Sequence, residues 1–343
     1  MIACGARGTG VVASPDAGTS VDGAGGGGRQ SVDSGFDLSR SDAATEASGT
    51  GGAVVVESSG CPLFTADDPW RQDISGRQVD GAQTAKFQAL VGAEKWGVHA
   101  QFDPLESPGI PINIVPSDQP LVDVKNGSTP MHDDPGPYPF PGRAVAHLEG
   151  TNDAADCEGA CRLVVVQRGT CLLFEGWSCH FDPEAGWECL AASRWDLTIN
   201  SYNQRQGRPL FADTGGFPMY AGLARYEEIA TGEIKHALRA SIECPTAGFV
   251  APATHDLEIA PPTCASQSNA LPLGQRLRLK ASYDESQLRP QARIIVRALK
   301  TYGLIVADSY GTFDTHLEDH PGWRSDLDDL REISASAFEA IGP

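Results

Sequence analysis

The chain has 343 residues, enough for one large domain or two ordinary ones, and 41% of its residues are hydrophobic. Its 38 glycines and 24 prolines are too many for a helical bundle and are typical of short strands joined by turns. The net charge is −19, and a surface of this sign repels phosphate backbones, so we expect no nucleic-acid partner. No stretch approaches the ~20 apolar residues of a membrane-spanning helix.

The first four residues, Met1-Ile2-Ala3-Cys4, resemble the end of a bacterial lipoprotein signal, whose last residue is the lipid-bearing cysteine. The apolar segment that precedes such a cysteine is missing, and the alternative is an accidental tetrapeptide. With lipid on Cys4, eight of the nine cysteines remain, an even number that could form four disulfides in an oxidising compartment. We therefore expect an extracytoplasmic protein, anchored by lipid or secreted, that contacts a membrane only through Cys4.

Residues 5–60 consist mainly of Gly, Ser, Ala, Asp and Thr. Such a composition cannot bury enough apolar surface to offset the entropy of ordering, so a disordered tether is predicted here. From Cys61 onward aromatic residues mix with turn residues, as in CPLFTADDPWRQDIS, and one β-rich domain is predicted over 61–343. A split near residue 205 is the alternative.

Local patterns predict the elements of this domain. Helices are predicted over 82–91 and 292–303, and a third over 225–231 that ends at Gly232. Short apolar or alternating runs predict strands at 112–115, 121–124, 143–150, 162–167, 171–177, 233–241, 276–284 and 304–308. The alternation of Leu and Arg in 276–284 predicts a strand buried on one face only. The balance predicts a mainly β fold, a β-sandwich or jelly roll that is mainly antiparallel, with a few helices.

Several motifs, in one order over about residues 61–340, resemble a family of secreted proteins that is widespread in bacteria and found in some fungi. They are CPLFTADDPWRQDIS, DPGPYPFP, HLEG, WDLTIN, LARYEEIATGEIKHALR, RLRLKASYD, ALKTYGLIVAD and SAFEAI. The resemblance implies secretion and a single architecture, and it brings no established activity with it.

The chain departs from this family at several places. The His and Asp that flank one family strand are Arg162 and Gln167 here. The family's Ala-Asp-Ala-Ala-Gly is here Ala-Asp213-Thr-Gly-Gly, and its Asn-Gly-Ser after the last strand is Ser309-Tyr-Gly. Relative to the family, this chain has extra cysteines, which we expect to stabilise loops as disulfides and not to take part in catalysis. They are cysteines 157, 161, 171, 179 and 189.

Carboxylates near strand ends or glycines are the candidates for catalysis. Asp213 precedes two glycines, which permit the close approach of a ligand or of another backbone. Glu149 ends a predicted strand, and with Asp213 it would form an acid–base pair for cleaving a glycosidic bond. Glu175 and Asp196 are alternative partners for Glu149. The simpler interpretations are a turn or helix-capping Asp213 and a salt-bridged Glu149.

Glu228 and His236 are the residues that we expect to orient the Glu149–Asp213 pair or to adjust the pKa values of its two carboxyls. Glu227 and Glu228 are adjacent on a predicted helix, so at most one faces a site, and the family resemblance favours Glu228. His236 could act as a general acid or base. Alternatively, His236 and His255 could ligate a metal with a carboxylate, as in cupin-like barrels. A solvated helix face for Glu228 and hydrogen-bonded structural histidines are the simpler interpretations.

The predicted substrate-binding residues are Trp177, Trp195, Arg225 and Tyr226. Large aromatic rings can stack on sugars, although tryptophans clustered with cysteines also pack around disulfides. The chain contains no Gly-x-Ser-x-Gly motif and no P-loop.

The leading functional interpretation is an extracytoplasmic protein that acts on polysaccharide or cell-wall glycan, as a glycoside hydrolase with paired carboxylates and no cofactor. One alternative is a non-catalytic cell-surface module that binds glycan or a partner. The other is a cupin-like metal-dependent enzyme.

Overall fold

Three mixed β-sheets form the architecture in the computed structural model, which describes residues 59–93, 109–126, 134–150, 154, 161–205, 213–242, 245–255, 271–309, 313–323 and 325–342. All of these residues belong to one compact unit, Gly51–Pro343. In the described ranges, the α-helices are α1 (Gly81–Ala93), α2 (Tyr226–Thr231) and α3 (Pro290–Thr301). The predicted class, mainly β with a few helices, is confirmed. The lipoprotein-like start and nearly all of the predicted tether lie outside the described residues.

In chain order the strands are β1 (Ile112–Val115), β2 (Val124–Asn126), β3 (Leu163–Gln167), β4 (Leu172–Trp177), β5 (His180–Asp182), β6 (Gly186–Cys189), β7 (Ala191–Asp196), β8 (Leu238–Ile242), β9 (Arg276–Leu279), β10 (Leu304–Asp308), β11 (Phe313–Asp314) and β12 (Phe338–Ile341). The sheet orders are β1-β3-β4-β7, β11-β8-β10-β9-β12 and β2-β6-β5. Most neighbouring strands among these are antiparallel, and the parallel pairs are β1–β3, β8–β10 and β2–β6.

The hairpin of β3 and β4 follows directly from its sequence. Both strands are apolar runs, as predicted, and Gly169 between them has a φ of +80°, which glycine adopts without strain. Successive side chains of a strand point to opposite faces. Accordingly, Val164 and Val166 lie in one apolar core, while Leu163 and Val165 lie in another. The four-stranded sheet is therefore packed on both faces.

The larger core contains side chains from both larger sheets and from α3, such as Leu173, Leu238 and Ile295. Trp70 is also buried in this core. The smaller core lies on the other face of the four-stranded sheet and includes Trp187 of the three-stranded sheet. The two larger sheets thus share one core, and the third sheet packs against the second core.

The three predicted helices are present. Pro290 is the first residue of α3, a position whose N–H would have no partner within the helix, so proline costs no hydrogen bond there. Gly303 follows the end of the helix with a φ of +71°. Gly232 ends α2 with a φ of +90°. The Glu228 side chain accepts a hydrogen bond from the Arg225 N–H at 3.1 Å and so caps the first turn of α2.

The predicted strand over 143–150 is wrong. Its residues form turns instead, and the Val145 N–H donates to the Gly142 carbonyl at 3.0 Å. The side chain of Asn113, and not a neighbouring strand, pairs with the backbone of this segment. Its Nδ2 donates to the His147 carbonyl at 2.8 Å, and its Oδ1 accepts from the His147 N–H at 2.9 Å.

The prediction of a strand buried on one face over 276–284 is also wrong. β9 ends at Leu279, and all four of its residues are buried. Arg278 donates to the Ser75 and Arg77 carbonyls at 2.7 and 3.2 Å and pairs with Glu339. These contacts cover the arginine face of the strand. The predicted strand over 233–241 forms only from Leu238 onward.

Disulfides join Cys61 to Cys171 and Cys179 to Cys189, and Cys161 is also disulfide-bonded. The prediction that the cysteines form bridges is thus confirmed for these five residues. Such bridges fit an extracellular protein. Over the ranges that the structure describes, no helix is both long and apolar enough to cross a bilayer. The cysteines outside those ranges are Cys4, Cys157, Cys244 and Cys264.

Candidate functional site

A group of charged side chains connects the two larger sheets. We call it the charged cluster, and its members are Glu149, Arg162, Glu175, Asp213, Arg239, Asp308 and His316. Glu175 lies on β4, and Arg162 directly precedes β3. Arg239 lies on β8, and Asp308 ends β10. The cluster therefore depends on both sheets being in place.

Arg239 lies at the centre of the cluster and is fully buried. Its Nη2 contacts Asp213 Oδ2 at 3.0 Å and Asp308 Oδ2 at 3.3 Å. Its Nη1 lies against the sulfur of Met219. One guanidinium thus serves two carboxylates from different segments of the chain.

Arg162 connects the cluster to the surface. Its Nη1 lies 2.9 Å from Glu149 Oε2, and its Nη2 lies 3.5 Å from Asp308 Oδ2. The Glu149 N–H donates to the Arg162 carbonyl at 3.1 Å, which fixes the backbone of Glu149 beside the arginine. The side chains of Glu149, Arg162 and Asp308 keep 16%, 13% and 11% of their surface exposed. Glu149 and Arg162 are thus partly exposed, whereas Asp308 is a buried residue with a small exposed part of its side chain.

Asp213 is enclosed and has no exposed side-chain surface. Its Oδ1 accepts hydrogen bonds from the Gly215 and Phe217 N–H groups at 3.0 and 2.8 Å. It therefore has the turn-forming role that the simpler interpretation expected. Asp213 joins the same cluster as Glu149, but the two carboxyls contact different arginines, and Asp308 lies between these arginines. A glycan cannot contact Asp213 directly in this structure.

The two glycines after Asp213 serve the packing of the backbone. A Cβ on Gly215 would lie 3.1 Å from the Ala307 carbonyl oxygen. A Cβ on Gly216, whose φ is +80°, would lie 2.2 Å from Thr254 Oγ1. The close approach predicted from these glycines is thus an approach of protein atoms.

Two carboxyls of the cluster, Asp213 and Glu175, hold a proton more tightly than usual because they are buried in a cluster with more carboxyls than guanidinium groups. It contains four carboxyl groups and two guanidinium groups, so full ionisation would leave two buried negative charges uncompensated. Burial raises the pKa of Asp213 to about 8, although Arg239 opposes the shift. Burial also raises the pKa of Glu175 to about 7, although the N–H groups of Tyr220 and Met219 oppose it. Protonation of these two enclosed carboxyls brings the cluster close to neutrality near pH 7.

Asp308 differs from the two enclosed carboxyls. Burial opposes its ionisation, but the charges of Arg239 and Arg162 outweigh burial, and the pKa of Asp308 is lowered. The Thr214 hydroxyl and the Ser309 N–H also donate to Asp308 Oδ1, the latter at 2.8 Å. Asp308 is therefore the ionised and partly accessible carboxylate of the cluster.

His316 adds a neutral imidazole. Burial and the positive charges of Arg239 and Arg162 lower its pKa well below the usual value, against the attraction of Asp308. Its Nδ1 is buried and makes no hydrogen bond to any residue that the structure describes.

The raised carboxyl pKa values predict that stability falls as the pH rises from 6.5 to 8. Folded Asp213 and Glu175 hold protons that the unfolded chain, with ordinary carboxyl pKa values of 3.8 and 4.5, has already released. While a group is protonated in the folded state and ionised in the unfolded chain, it lowers the free energy of unfolding by about 1.4 kcal/mol per pH unit, and this slope ends as the pH passes the folded pKa of about 7 or 8. His316, whose pKa is lowered on folding, gives the opposite slope near and below its usual pKa of 6.5, and this contribution fades as the pH rises above that value. Urea unfolding at several pH values measures the slope.

Asp213→Asn should reduce this slope, because asparagine resembles the protonated carboxyl and does not titrate. Asp284→Asn is the matched control, since Asp284 is exposed and should leave the slope unchanged. A wild-type stability that is constant or rises over this range would contradict the assignment.

Glu228 and His236 come together with Arg225, in a separate buried group. Arg225 Nη2 lies 2.9 Å from Glu228 Oε1 and 2.9 Å from His236 Nε2. The His236 Nδ1–H donates to the Ala237 carbonyl at 2.8 Å. All three side chains are at least 97% buried, so none of them can contact a polysaccharide directly. The hydrogen-bonded structural histidine is therefore the interpretation that fits His236.

The metal alternative finds no support in the geometry. His236 Nε2 lies 2.9 Å from Arg225 Nη2 and 3.0 Å from Glu228 Oε1, so the Arg225–Glu228 ion pair occupies the position that a metal would take. His255 lies beside Thr254, with Nδ1 3.3 Å from its hydroxyl. The described ranges contain no group of three or more His, Cys, Asp or Glu side chains that could hold a metal ion.

The predicted aromatic residues have different surroundings. Trp195 is buried, with the Arg205 guanidinium 4.1 Å from its ring centroid, so no sugar can reach its face. Trp177 is half-buried at the end of β4. Trp177 lies two residues after Glu175 in β4, and alternate side chains of a strand point to the same face. Trp177 therefore lies on the same sheet face as Glu175 of the charged cluster.

Tyr226 belongs to an aromatic group away from Trp177. Its ring stacks on His320 with a centroid distance of 4.0 Å and meets the edge of Trp323 at 5.6 Å. All three side chains are half-buried. Of the four predicted substrate-binding residues, Trp177 and Tyr226 are thus accessible, while Trp195 and Arg225 are not.

The sequence interpretation missed Asp308, Arg162, Arg239 and His316 as members of the site. Asp308 ends an apolar strand, the argument that was applied to Glu149. Arg239 is a cation within the buried run of β8, a pattern that signals an ion pair in the interior. His316 carries no local signal of this kind.

Comparisons with protein-family models, with curated proteins and with solved structures find no match to this chain. The resemblance to a secreted family therefore stays a prediction.

Proposed function

We propose that this chain is an extracytoplasmic hydrolase of polysaccharide whose reacting carboxyls are Glu149 and Asp308. The observation that carries the proposal is that these two partly exposed carboxyls contact one guanidinium, that of Arg162. Two carboxyls that contact one guanidinium are less than about 9 Å apart, within the upper limit of about 9.5 Å for inverting glycosidases. Asp308 thus replaces Asp213 as the partner of Glu149.

The two carboxyls have different surroundings, as acid–base chemistry requires. Asp308 is held ionised by two arginines and, in an inverting hydrolysis, would accept a proton from the attacking water as the general base. Glu149 has the larger exposed surface and would donate a proton to the leaving oxygen as the general acid. Asp213 and Arg239 position Asp308 from the enclosed side of the cluster.

Trp177 supports a sugar substrate. Its half-buried side chain lies at the end of β4, on the same face as Glu175, where a sugar ring could stack. The disulfides support the location, because such bridges persist in oxidising compartments.

Release of reducing sugar from a panel of glycans tests the proposal. The full chain is incubated with chitin, cellulose, xylan, pectin and peptidoglycan. We expect release from at least one glycan, and a loss of about 100-fold or more in Glu149→Gln and Asp308→Asn, the usual contribution of an acid–base group. Asp213→Asn should retain activity within about tenfold, because Asp213 does not contact the substrate.

Glu188→Gln is the matched control, since Glu188 is a partly exposed carboxylate that pairs with Lys125 outside the cluster. Thermal unfolding of each variant checks that the fold is retained. Full activity in both Glu149→Gln and Asp308→Asn would rule out the assigned roles.

A non-catalytic glycan-binding module is the second candidate, and the aromatic group of Tyr226, His320 and Trp323 favours it. The Trp323 Nε1–H donates to the Glu318 carbonyl at 2.7 Å, which holds the indole in place. Rigid, half-exposed rings are suited to stacking on sugars. Retention of the chain on an insoluble glycan without any sugar release would favour this candidate over the hydrolase.

A further inference from the structure

A cavity lies away from the charged cluster. It has a volume of about 430 Å³, within the size range of small-molecule sites. Arg276 of β9 and Arg77 line it together with Asp80. Other lining residues include Gln72, Gln83, Tyr202, Val250 and Ile341. The cavity thus combines polar and apolar walls with two guanidinium groups.

Arg276 lacks a carboxylate partner. The residue is 93% buried, since only 7% of its surface is exposed. Its Nη2 donates to the Pro69 carbonyl, while its Nη1 is buried and makes no hydrogen bond with the described residues. Asp68 is the nearby acid, but its oxygens accept from the Trp70 and Ser201 N–H groups instead. A buried guanidinium with an unused donor is costly, and a small rotation of the side chain toward the cavity would let an anion accept from Nη1.

Arg77 adds a second positive charge. Its Nη2 donates to Gln72 Oε1 at 2.8 Å, and it forms no ion pair with a described residue. Asp80 is the carboxylate among the lining residues, and it caps the first turn of α1 by accepting from the Gln83 N–H at 2.9 Å. Two guanidinium groups against one carboxylate leave the cavity wall positive, in a chain whose net charge is −19.

We infer that this cavity binds a small organic anion through a carboxylate or phosphate group, which Arg276 and Arg77 hold together. Arginine forks match the oxygens of both groups, and such charge-assisted hydrogen bonds are strong. The apolar wall formed by Val250 and Ile341 would contact the carbon skeleton of the ligand. The inference does not depend on the proposed hydrolase, because the cavity has no residue in common with the charged cluster.

The titration behaviour of Arg276 agrees with this inference. Burial lowers its pKa to about 10, and the charge of Arg77 adds to the effect, while Asp68 opposes it. The folded protein thus disfavours this cation, and a bound anion would relieve both the burial and the repulsion.

Calorimetric titration of the full chain tests the inference with three probes of similar size, glucuronate, glucose 6-phosphate and glucose. We expect glucuronate or glucose 6-phosphate to bind at least about tenfold more tightly than neutral glucose. Comparison of the two anions distinguishes a carboxylate ligand from a phosphate ligand. Binding of the preferred anion should weaken at least about tenfold in Arg77→Gln and in Arg276→Lys.

Arg77 is exposed, so Arg77→Gln should fold normally and decides the test even if Arg276→Lys is destabilised. Arg297→Gln is the control, because Arg297 is an exposed arginine that pairs with Glu285 elsewhere. If neither anion binds more tightly than glucose, or if Arg77→Gln binds the anion as tightly as the wild type, the inference is wrong.

Discussion

Replacement of Arg239 by methionine should lower the free energy of unfolding by about 3–5 kcal/mol, as is typical when one partner of a buried ion pair is removed. The change removes the guanidinium that contacts both Asp213 and Asp308. Asp213 would then have no cationic partner, and Asp308 would keep only its 3.5 Å contact to Arg162. Methionine retains much of the side-chain volume, so the loss reports mainly on charge. Urea unfolding at pH 7 measures it.

Arg297→Met is the matched control for this prediction. The Arg297 side chain is 60% exposed and pairs with Glu285, so its loss should change stability by about 1 kcal/mol or less. Addition of Asp308→Asn to Arg239→Met should restore part of the loss, because Asp308 is the ionised carboxyl that loses Arg239, whereas Asp213 is protonated at this pH. A loss in Arg239→Met as small as that in the control would show that the cluster does not stabilise the fold as its contacts indicate.

Removal of the Cys61–Cys171 disulfide should cause the other large effect. This bridge closes a loop with a sequence separation of 110, and the chain-entropy relation predicts a loss of about 5 kcal/mol for its removal. Replacement of both cysteines by alanine keeps the buried site apolar. Thermal and urea unfolding of the double variant, compared with the wild type, measure the change.

The bridge between Cys179 and Cys189 supplies the control. Cys179 and Cys189 are separated by only 10 residues, and the same relation gives about 3 kcal/mol for their removal. The Cys61→Ala/Cys171→Ala variant should therefore be less stable than the Cys179→Ala/Cys189→Ala variant by about 2 kcal/mol. Equal losses in the two variants would show that loop length does not set the stabilisation.

The elements that the sequence predicted well are those whose signal is local. Strands β3, β4 and β10 each begin with a run of at least three apolar residues, and a glycine-containing turn separates the first two. The prediction over 143–150 failed because Asn113, distant in sequence, binds the backbone of His147 and holds turns in place. No pattern within the segment indicates that contact.

The candidate site shows the same division. Glu149 and Asp213 were recognised from their neighbours in sequence, and both belong to the charged cluster. Their relation could not be predicted, because it depends on Arg162 reaching Asp308, which is 146 positions further along the chain. The burial of each side chain could not be predicted from the sequence either. Glu149 is partly exposed whereas Asp213 is enclosed, and Glu228 and His236 have almost no contact with solvent.

The position of Cys61 determines how the domain would respond to a mechanical load. A pulling force between a residue before Cys61 and a residue after Cys171 passes through the disulfide from Cys61 to Cys171. From Cys171 it continues along the chain into β4, which begins at the next residue. Residues 62–170, which include α1 and strands β1 to β3, are thereby bypassed and cannot be extended while the bridge is intact. A tethered copy of this protein would thus carry tension through a covalent bond, and the loop that contains Glu149 and Arg162 would stay unloaded.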